Sequence, residues 1–314
     1  MEAQACVGAP KLKYSIAQDS RLGARKMNQD RVGQWSTPEA LLMAVADGLG
    51  GHLHGEIAAQ IAVDVLARAF QQEARPKLAH PGVFLSRTIA AAHVAILREA
   101  ETRQLSDVPR TVLVACLVQD GRAYWAHIGD CRLYLFRKGR TLARTHDHSI
   151  VQMLVDEGRI REEAVATHPD RNRLLQCLGG LQPPRLEDAS ERLDKDDILL
   201  LCSDGLWGPI NQRQMLNALL SRPLDEAVAS LASLAEIRAG AECDNVSVVA
   251  LTWGEEQVRT DEDGPRTLPY NELPTDVQDF SATDMDFLRM SDEDVEKAIA
   301  EIKEALRKNL APRQ

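Results

Sequence analysis

The chain has 314 residues, of which 44% are hydrophobic and 4% aromatic, so it can bury a sizeable core of aliphatic side chains and is not a disordered protein. Its formal net charge is −10, and residues 255–314 hold 16 acidic against 8 basic side chains. The rest of the chain is almost neutral and has no basic stripe, which argues against nucleic-acid binding.

Short apolar runs bounded by turn residues predict strands in this order along the chain: near 12–18, 31–35, 41–47, 111–119, 122–129, 131–136, 197–203 and 246–252. Apolar residues at helical spacing predict helices at 56–70, 83–102, 211–220 and 224–238. Asp120-Gly121 lies between two of the strands and is a strong hairpin signal. Strands in consecutive hairpins, followed by consecutive helices, predict an α+β fold with antiparallel sheets.

Changes in composition divide the chain into four parts. We expect a loose arm at 1–10, a folded domain at 11–254, an acidic linker at 255–289 and an amphipathic helix at 290–310. The linker holds 10 acidic and 3 basic side chains and three prolines. The final helix either packs on the domain or serves in docking or dimerisation.

Two further features indicate a cytoplasmic protein. No apolar run approaches the roughly 20 residues of a membrane span, and the first residues lack the charged and apolar regions of a signal peptide. The six cysteines form no C-x-x-C pair, which favours reduced thiols over a zinc or disulfide framework.

Aspartates recur where apolar runs begin or end. Asp47, Asp130 and Asp204 each follow such a run, and Asp244 precedes one. A carboxylate on a buried strand needs a cation or a shell of hydrogen bonds, because burying it alone is expensive. Carboxylate oxygens suit Mg²⁺ and Mn²⁺, so these four strand ends predict one shared metal site.

Eight short motifs extend this pattern along residues 12–252. In chain order they are Gly23 to Asp30, Ala46 to His52, Thr111 to Ala115, His127 to Tyr134, Thr145 to Ser149, Arg171 to Gly179, Leu201 to Trp207 and Asp244 to Ser247. Each motif alone is weak, but eight in one order are very specific. The chain resembles the bacterial members of the metal-dependent PP2C-type (PPM family) Ser/Thr protein phosphatases.

This resemblance implies a four-layer αββα sandwich of two antiparallel sheets flanked by helix pairs. It also implies two Mn²⁺ or Mg²⁺ ions per active site and a weaker third. By resemblance Asp47 bridges both metals, Asp204 and Asp244 hold the first, and the Gly48 carbonyl holds the second. Asp130 joins Asp204 at the third site.

The resemblance implies three further roles. Arg25 matches the arginine that binds the substrate phosphate and is a candidate catalytic residue. Asp30 lies behind the metal ligands or reaches a metal through water. Thr111, which is retained from a Gly-Thr-Thr motif, is the third candidate catalytic residue.

Several positions depart from the family pattern without removing a direct metal ligand. Arg110 stands at a usual glycine, where it is expected to alter the rim of the substrate groove. Gln29 replaces a glutamate, Cys131 replaces a serine, and Leu49 stands where animal members carry a histidine. The segment at about 150–182 matches the variable flap beside the active site; as a plain surface insertion it would be equally ordinary.

Other motifs have simpler explanations. The pairs His146-x-His148 and His52-x-His54 suggest zinc, but beside an Asp-rich site hydrogen-bonded or positioning histidines are the better interpretation. Asp147-His148-Ser149 lacks the G-x-S-x-G elbow of a serine hydrolase. Gly48-x-Gly50-Gly51 lacks the spacing of a nucleotide loop.

The predicted function is therefore hydrolysis of phosphoserine and phosphothreonine on proteins by a metal-activated water, opposing a bacterial Ser/Thr kinase. The expected partners are phosphorylated proteins, including a cognate kinase and its substrates, with no nucleic acid and no membrane. Two alternatives stay open: a hydrolase of small phosphoesters, and a pseudophosphatase that acts as a scaffold through its C-terminal tail.

Overall fold

The computed structural model describes residues 12–50, 54–180 and 182–254, together with positions 297, 300 and 301. The strands are β1 Tyr14–Arg21, β2 Asp30–Ser36, β3 Ala40–Gly48, β4 Thr111–Gln119, β5 Arg122–Ile128, β6 Arg132–Arg137, β7 Arg140–Arg144, β8 Glu187–Arg192, β9 Ile198–Cys202 and β10 Val246–Trp253. The helices are α1 Gly55–Glu73, α2 Pro81–Thr102, α3 Ile150–Asp156, α4 Asp204–Trp207, α5 Gln212–Ser221 and α6 Leu224–Ala239.

The strands form two five-stranded sheets. The first sheet has the order β1-β10-β9-β6-β7, and the second has the order β2-β3-β4-β5-β8. Every strand pair in both sheets is antiparallel. The hairpin predicted at Asp120-Gly121 joins β4 to β5, and both residues of its turn have the positive φ that a tight hairpin turn requires.

Three apolar layers hold the sandwich together. One layer lies between the second sheet and helices α1 and α2, and another lies between the first sheet and helices α4, α5 and α6. The third lies between the two sheets and takes alternate residues of their central strands, such as Val45 in β3 and Leu201 in β9. The predicted αββα sandwich of two antiparallel sheets is confirmed.

The structure adds elements that the sequence pattern did not predict. β7 and β8 are edge strands without buried residues, and most residues of β8 are exposed, so neither strand carries an apolar alternation. Helix α3 lies inside the predicted flap, and α4 is a single turn that begins at Asp204. Both are too short for a periodic apolar stripe to reveal them.

The predicted arm at 1–10 and the acidic linker at 255–289 lie outside the described residues. So does most of the predicted helix at 290–310, of which only Lys297, Ala300 and Glu301 are described; all three are helical and exposed. These three segments therefore stay predictions. Among the described helices, none combines the length and the hydropathy that crossing a membrane requires.

Candidate metal centre

The layer between the sheets ends in polar side chains. Successive residues of a strand point to opposite faces, so Asp30 shares the inner face of β2 with Val32, and Asp47 shares that of β3 with Val45. In the first sheet Ser203 continues the inner face of β9. The apolar core thus gives way at one edge to a group of carboxylates and hydroxyls supplied by both sheets.

Asp30 and Asp47 are directly opposed in the antiparallel pair of β2 and β3. Such cross-strand neighbours project on the same face of a sheet, which brings the two carboxylates together. The Ser203 hydroxyl donates a hydrogen bond to Asp30 Oδ2 at 2.8 Å, and the Ser247 amide donates to the Ser203 hydroxyl at 3.0 Å. This chain of contacts ties the second sheet to the first behind Asp47.

Asp204 and Asp244 come from the first sheet. Asp204 is the first residue of α4 rather than the end of a strand, and Asp244 lies two residues before β10. The next residue after Asp204 packs against the chain beside Asp244, since a Cβ at Gly205 would lie 2.0 Å from the Asn245 carbonyl oxygen. Only glycine permits this approach, and it draws the two carboxylate-bearing turns together.

Asp130 lies in the turn between β5 and β6, which is held from three directions. Gly129 has a φ of +95°, which other residues rarely adopt. Its amide donates to His148 Nδ1 at 3.1 Å, and the His148 amide donates to the Gly129 carbonyl at 2.9 Å. The Trp207 indole donates to the Asp130 carbonyl at 2.9 Å. These contacts fix the carboxylate at the edge of the site.

Four of these aspartates line one cavity of about 510 Å³. Its acidic lining residues are Asp47, Asp130, Asp204 and Asp244. Asp30 lies behind them, 2% exposed and opposed to Asp47. The structure therefore brings together all five aspartates that the sequence singled out.

Burial and mutual repulsion disfavour the charged forms of these carboxyl groups. Burial raises the pKa of Asp30 to about 6, against the hydrogen bond from Ser203. Burial, followed by the charges of Asp244 and Asp30, raises the pKa of Asp204 to about 7. The pKa values of Asp47 and Asp130 are raised well above the ordinary value by burial and then by neighbouring aspartates. Compensating positive charge would stabilise such a cluster at neutral pH.

The donor set fits hard divalent cations. Asp30 Oδ1 and Asp204 Oδ1 are buried, and neither has a hydrogen-bond partner in the described part of the chain. A buried carboxylate oxygen is normally hydrogen-bonded or coordinated. Several carboxylates and a main-chain carbonyl around an open cavity are the ligands that Mg²⁺ and Mn²⁺ prefer.

The loop that carries Arg25 packs against the loop that carries Asp244. Gly23 has a φ of +59°, and a Cβ there would lie 2.1 Å from the Asp244 carbonyl oxygen. The Asn245 side chain accepts a hydrogen bond from the Gln29 amide at 2.8 Å. Arg25 Nη2 lies 2.6 Å from Asp244 Oδ2, and its half-exposed guanidinium lines the cavity. A cationic side chain thus borders the carboxylate cluster at its opening.

Thr111 and Gly48 meet at the start of β4. Thr111 is fully buried, and its hydroxyl donates to the Asp47 carbonyl at 2.7 Å. Gly48 pairs with Thr111 across the strands and lines the cavity. The contact of Thr111 is with the main chain of Asp47, which is a positioning contact. Its predicted catalytic role stays a prediction.

A second group of possible ligands lies outside the cavity, and its geometry does not suit a metal. Ring nitrogens of His127 and His148 and a Glu187 oxygen lie within 4.8 Å of one another. His148 Nδ1 accepts the Gly129 amide, so the proton of the neutral ring is on Nε2. The two rings stack with centroids 4.6 Å apart and planes at 22°. A ligated ion lies in the plane of each imidazole, which two stacked rings do not share. His148 positions the Asp130 turn through its hydrogen bonds with Gly129, as the hydrogen-bonded interpretation of His146-x-His148 expects.

Sequence reasoning missed several residues of the site. Ser203 and Asn245 stand inside two of the motifs without a predicted role, yet their side chains connect the loops that bear the aspartates. Leu174 and Cys177 come from the predicted flap and line the cavity. The sequence feature that could have identified them is their position beside a motif aspartate or within the flap. Their contacts depend on tertiary packing.

Comparison with known proteins identifies relatives along most of the predicted domain. The family model described as "Protein phosphatase 2C" matches residues 17–237. The chain is 36% identical over 239 residues to the serine/threonine protein phosphatase PstP of Mycobacterium tuberculosis, which covers 76% of this chain but 44% of that protein. It is 31% identical over 228 residues to the serine/threonine phosphatase stp of Listeria innocua, which covers 72% of this chain and 90% of that protein. The chain thus spans less than half of the mycobacterial relative.

A solved structure shares the fold. The catalytic domain of the PstP phosphatase, solved in complex with two manganese ions, is 33% identical to this chain. The TM-score is 0.65, and the match covers 77% of this chain and 98% of that domain.

Proposed function

The chain belongs to the protein phosphatase 2C family, and from this membership we propose that it hydrolyses phosphoserine and phosphothreonine on proteins. One observation carries the proposal: carboxylates from both sheets converge on a single open cavity that is bordered by the guanidinium of Arg25. An anionic cavity repels a phosphate group unless cations occupy it, so this arrangement supports a metal-dependent phosphatase.

The proposed cofactors are two Mn²⁺ or Mg²⁺ ions and a weaker third. Asp47 with Asp204 and Asp244 would hold the first ion, and Asp47 with the Gly48 carbonyl would hold the second. Asp130 and Asp204 would hold the third. The two unpartnered buried oxygens, on Asp30 and Asp204, and the raised pKa values of the cluster support this assignment. When bound, such cations offset the charge of the phosphate and lower the pKa of coordinated water.

The side chains of the chain perform the remaining tasks. Arg25 binds phosphoryl oxygens through its planar fork of N–H donors, which matches phosphate geometry. Its present contact with Asp244, at 2.6 Å, supports this role because the guanidinium already reaches the carboxylate cluster. Thr111 and the Ser203–Asp30 hydrogen bond keep Asp47 in place from behind. The carboxylates in the cavity and the half-exposed Arg25 at its opening suit a phosphorylated side chain that projects from a protein surface.

The substrates are phosphorylated proteins, and the wider context is reversal of a bacterial Ser/Thr kinase in the cytoplasm. Phosphatases of similar sequence over most of their length, such as the listerial relative, support this substrate class. Docking or dimerisation through the helix at 290–310 is a separate prediction about residues outside the described part of the chain.

Hydrolysis of two substrates tests the proposal. We expect the full chain to release phosphate from p-nitrophenyl phosphate and from a phosphothreonine peptide in Mn²⁺. Phosphate release should stop when the metal is chelated. Asp47→Asn should abolish both activities while its circular dichroism and urea midpoint show a folded protein. Asp188→Asn, on the exposed edge strand β8, is the matched control and should keep both.

Three results would contradict the proposal. No turnover of either substrate at intact metal loading would favour the scaffold alternative. A strong preference for a small phosphorylated metabolite over the peptide would favour the small-phosphoester alternative. Full activity of Asp47→Asn under limiting Mn²⁺ would show that the proposed ligand set is wrong.

A further inference from the structure

Arg110 lies at the cavity but is not part of the carboxylate cluster. It directly precedes β4, and its side chain lines the same cavity as Arg25 and Asp47. The side chain is 30% exposed, so it is partly buried in the wall and partly open to the cavity. A second guanidinium therefore borders the space that the substrate enters.

The hydrogen-bonding capacity of Arg110 is unused in the described part of the chain. Its Nε is buried without a hydrogen-bond partner. Its Nη2 lies 4.0 Å from Asp107 Oδ1, which is an ion pair beyond hydrogen-bond distance. Buried donors are nearly always satisfied in folded proteins, and a guanidinium presents five of them in a planar fork. A guanidinium in a cavity wall that makes no hydrogen bond within the described residues fits an anionic ligand that bonds through oxygen.

A short turn separates Arg110 from Arg25. The Leu49 amide donates to the Arg110 carbonyl at 3.0 Å, and a Cβ on Gly50 would lie 3.9 Å from Arg25 Nη1. Arg110 thus flanks the Leu49 side of the turn, and Arg25 flanks the Gly50 side. Both side chains line the same cavity, so one extended ligand with two anionic groups can contact both arginines.

Arg110 shares the cavity wall with residues of the flap, since Leu174 and Cys177 line the same cavity. The charge of Arg110 lowers the pKa of the Cys177 thiol, against the burial that raises it. The side chain of Arg110 therefore lies on the flap side of the cavity.

We propose that Arg110 forms a second anion subsite, which binds an acidic group next to the phosphorylated residue of the substrate. The proposal rests on the proposed phosphatase function and names its substrate class: phosphoproteins with a carboxylate or a second phosphate beside the phosphosite. Both groups present the same oxygen chemistry to the guanidinium. The residues flanking the phosphosite, rather than the phosphosite alone, then contribute to substrate choice.

Three phosphothreonine peptides of equal length test the subsite. One has neutral flanks, one has glutamate flanks, and one carries a second phosphate on a flanking serine. The readout is kcat/KM for each acidic peptide divided by kcat/KM for the neutral peptide, in saturating Mn²⁺. For the wild-type chain we expect a ratio of about three to ten for at least one acidic peptide, as for a partly exposed charge pair.

Variants of the full chain assign the preference to Arg110. Arg110→Gln should reduce the ratio to about one, since it keeps a side chain of similar length without the charge. Arg110→Lys should retain part of it. Arg122→Gln is the matched control and should keep the wild-type ratio, because Arg122 begins β5 at the end of the strand away from Asp130. Which acidic peptide is preferred identifies the flanking group.

The outcomes separate this inference from the proposed function. A wild-type ratio of one for both acidic peptides would overturn the subsite while leaving the phosphatase function intact. So would an Arg110→Gln variant that loses activity equally on all three peptides, since Arg110 would then serve the carboxylate cluster. A wild-type chain that turns over no peptide and no p-nitrophenyl phosphate in Mn²⁺ would overturn the proposed function itself.

Discussion

Replacing Asp204 with asparagine should stabilise the metal-free protein and remove its response to metal. The folded-state pKa of Asp204 is about 7, against an ordinary value of 3.8, chiefly because the group is buried and then because Asp244 and Asp30 repel it. Each step of one in pKa corresponds to about 1.4 kcal/mol. Above pH 7 the ionised side chain therefore costs the fold about 4 kcal/mol, and its neutral isostere avoids that cost.

The direction of the pKa shift determines how the free energy of unfolding changes with pH. An acid whose pKa is raised by folding favours the folded state at low pH, and this stability is lost as pH rises from 3.8 to about 7. Asp204→Asn should thus exceed the wild type in free energy of unfolding by about 2 to 4 kcal/mol at pH 8. The gain should shrink to about 1 kcal/mol at pH 4.5, where the wild-type carboxyl is protonated in the folded state.

Urea unfolding of chelated protein at the two pH values measures the difference, with Asp188→Asn as a control for the loss of an exposed carboxylate. Added Mn²⁺ should then stabilise the wild type by about 3 kcal/mol at a hundredfold excess over its dissociation constant, and the variant by much less. If chelated Asp204→Asn is less stable than the wild type at pH 8, burial and repulsion do not disfavour the ionised form of Asp204 in the metal-free fold.

Three other substitutions test separate contacts. Thr111→Val removes the hydrogen bond to the Asp47 carbonyl and should cost about 1 kcal/mol in urea unfolding and lower kcat; unchanged values for both would remove its positioning role. Arg132→Met leaves the Asp147 carboxylate, 1% exposed, without its partner and should cost about 3 to 5 kcal/mol, part of which Asp147→Leu restores in the double variant; a loss below about 1 kcal/mol would contradict this. Arg25→Ala should raise KM for a phosphothreonine peptide about tenfold in saturating Mn²⁺, and an unchanged KM and kcat would exclude it from phosphate binding.

The strands with buried faces were predictable because their signal is local. The apolar runs at 41–47 and 111–119 correspond to β3 and β4, which differ from the predicted bounds by at most one residue. Exposed edge strands such as β8 have no such signal, because their register depends on the neighbouring strand. Asp204 begins a helix rather than ending a strand, and the close packing of Gly205 on the Asn245 carbonyl at this point depends on residues far away in sequence.

By itself the sequence determined the fold class, the family resemblance and the identity of the aspartates, because each rests on residue type and spacing along the chain. Tertiary structure alone decided how these residues meet. Asp30 and Asp204 are far apart in sequence, and their mutual repulsion exists only because the two sheets pack face to face. Tertiary structure likewise decided the placement of Arg110, which in the sequence is only a departure from the family pattern. Packing leaves the Arg110 Nε without a hydrogen bond within the described residues, and the side chain lines the cavity. That placement makes Arg110 a candidate for binding the residues that flank the phosphosite.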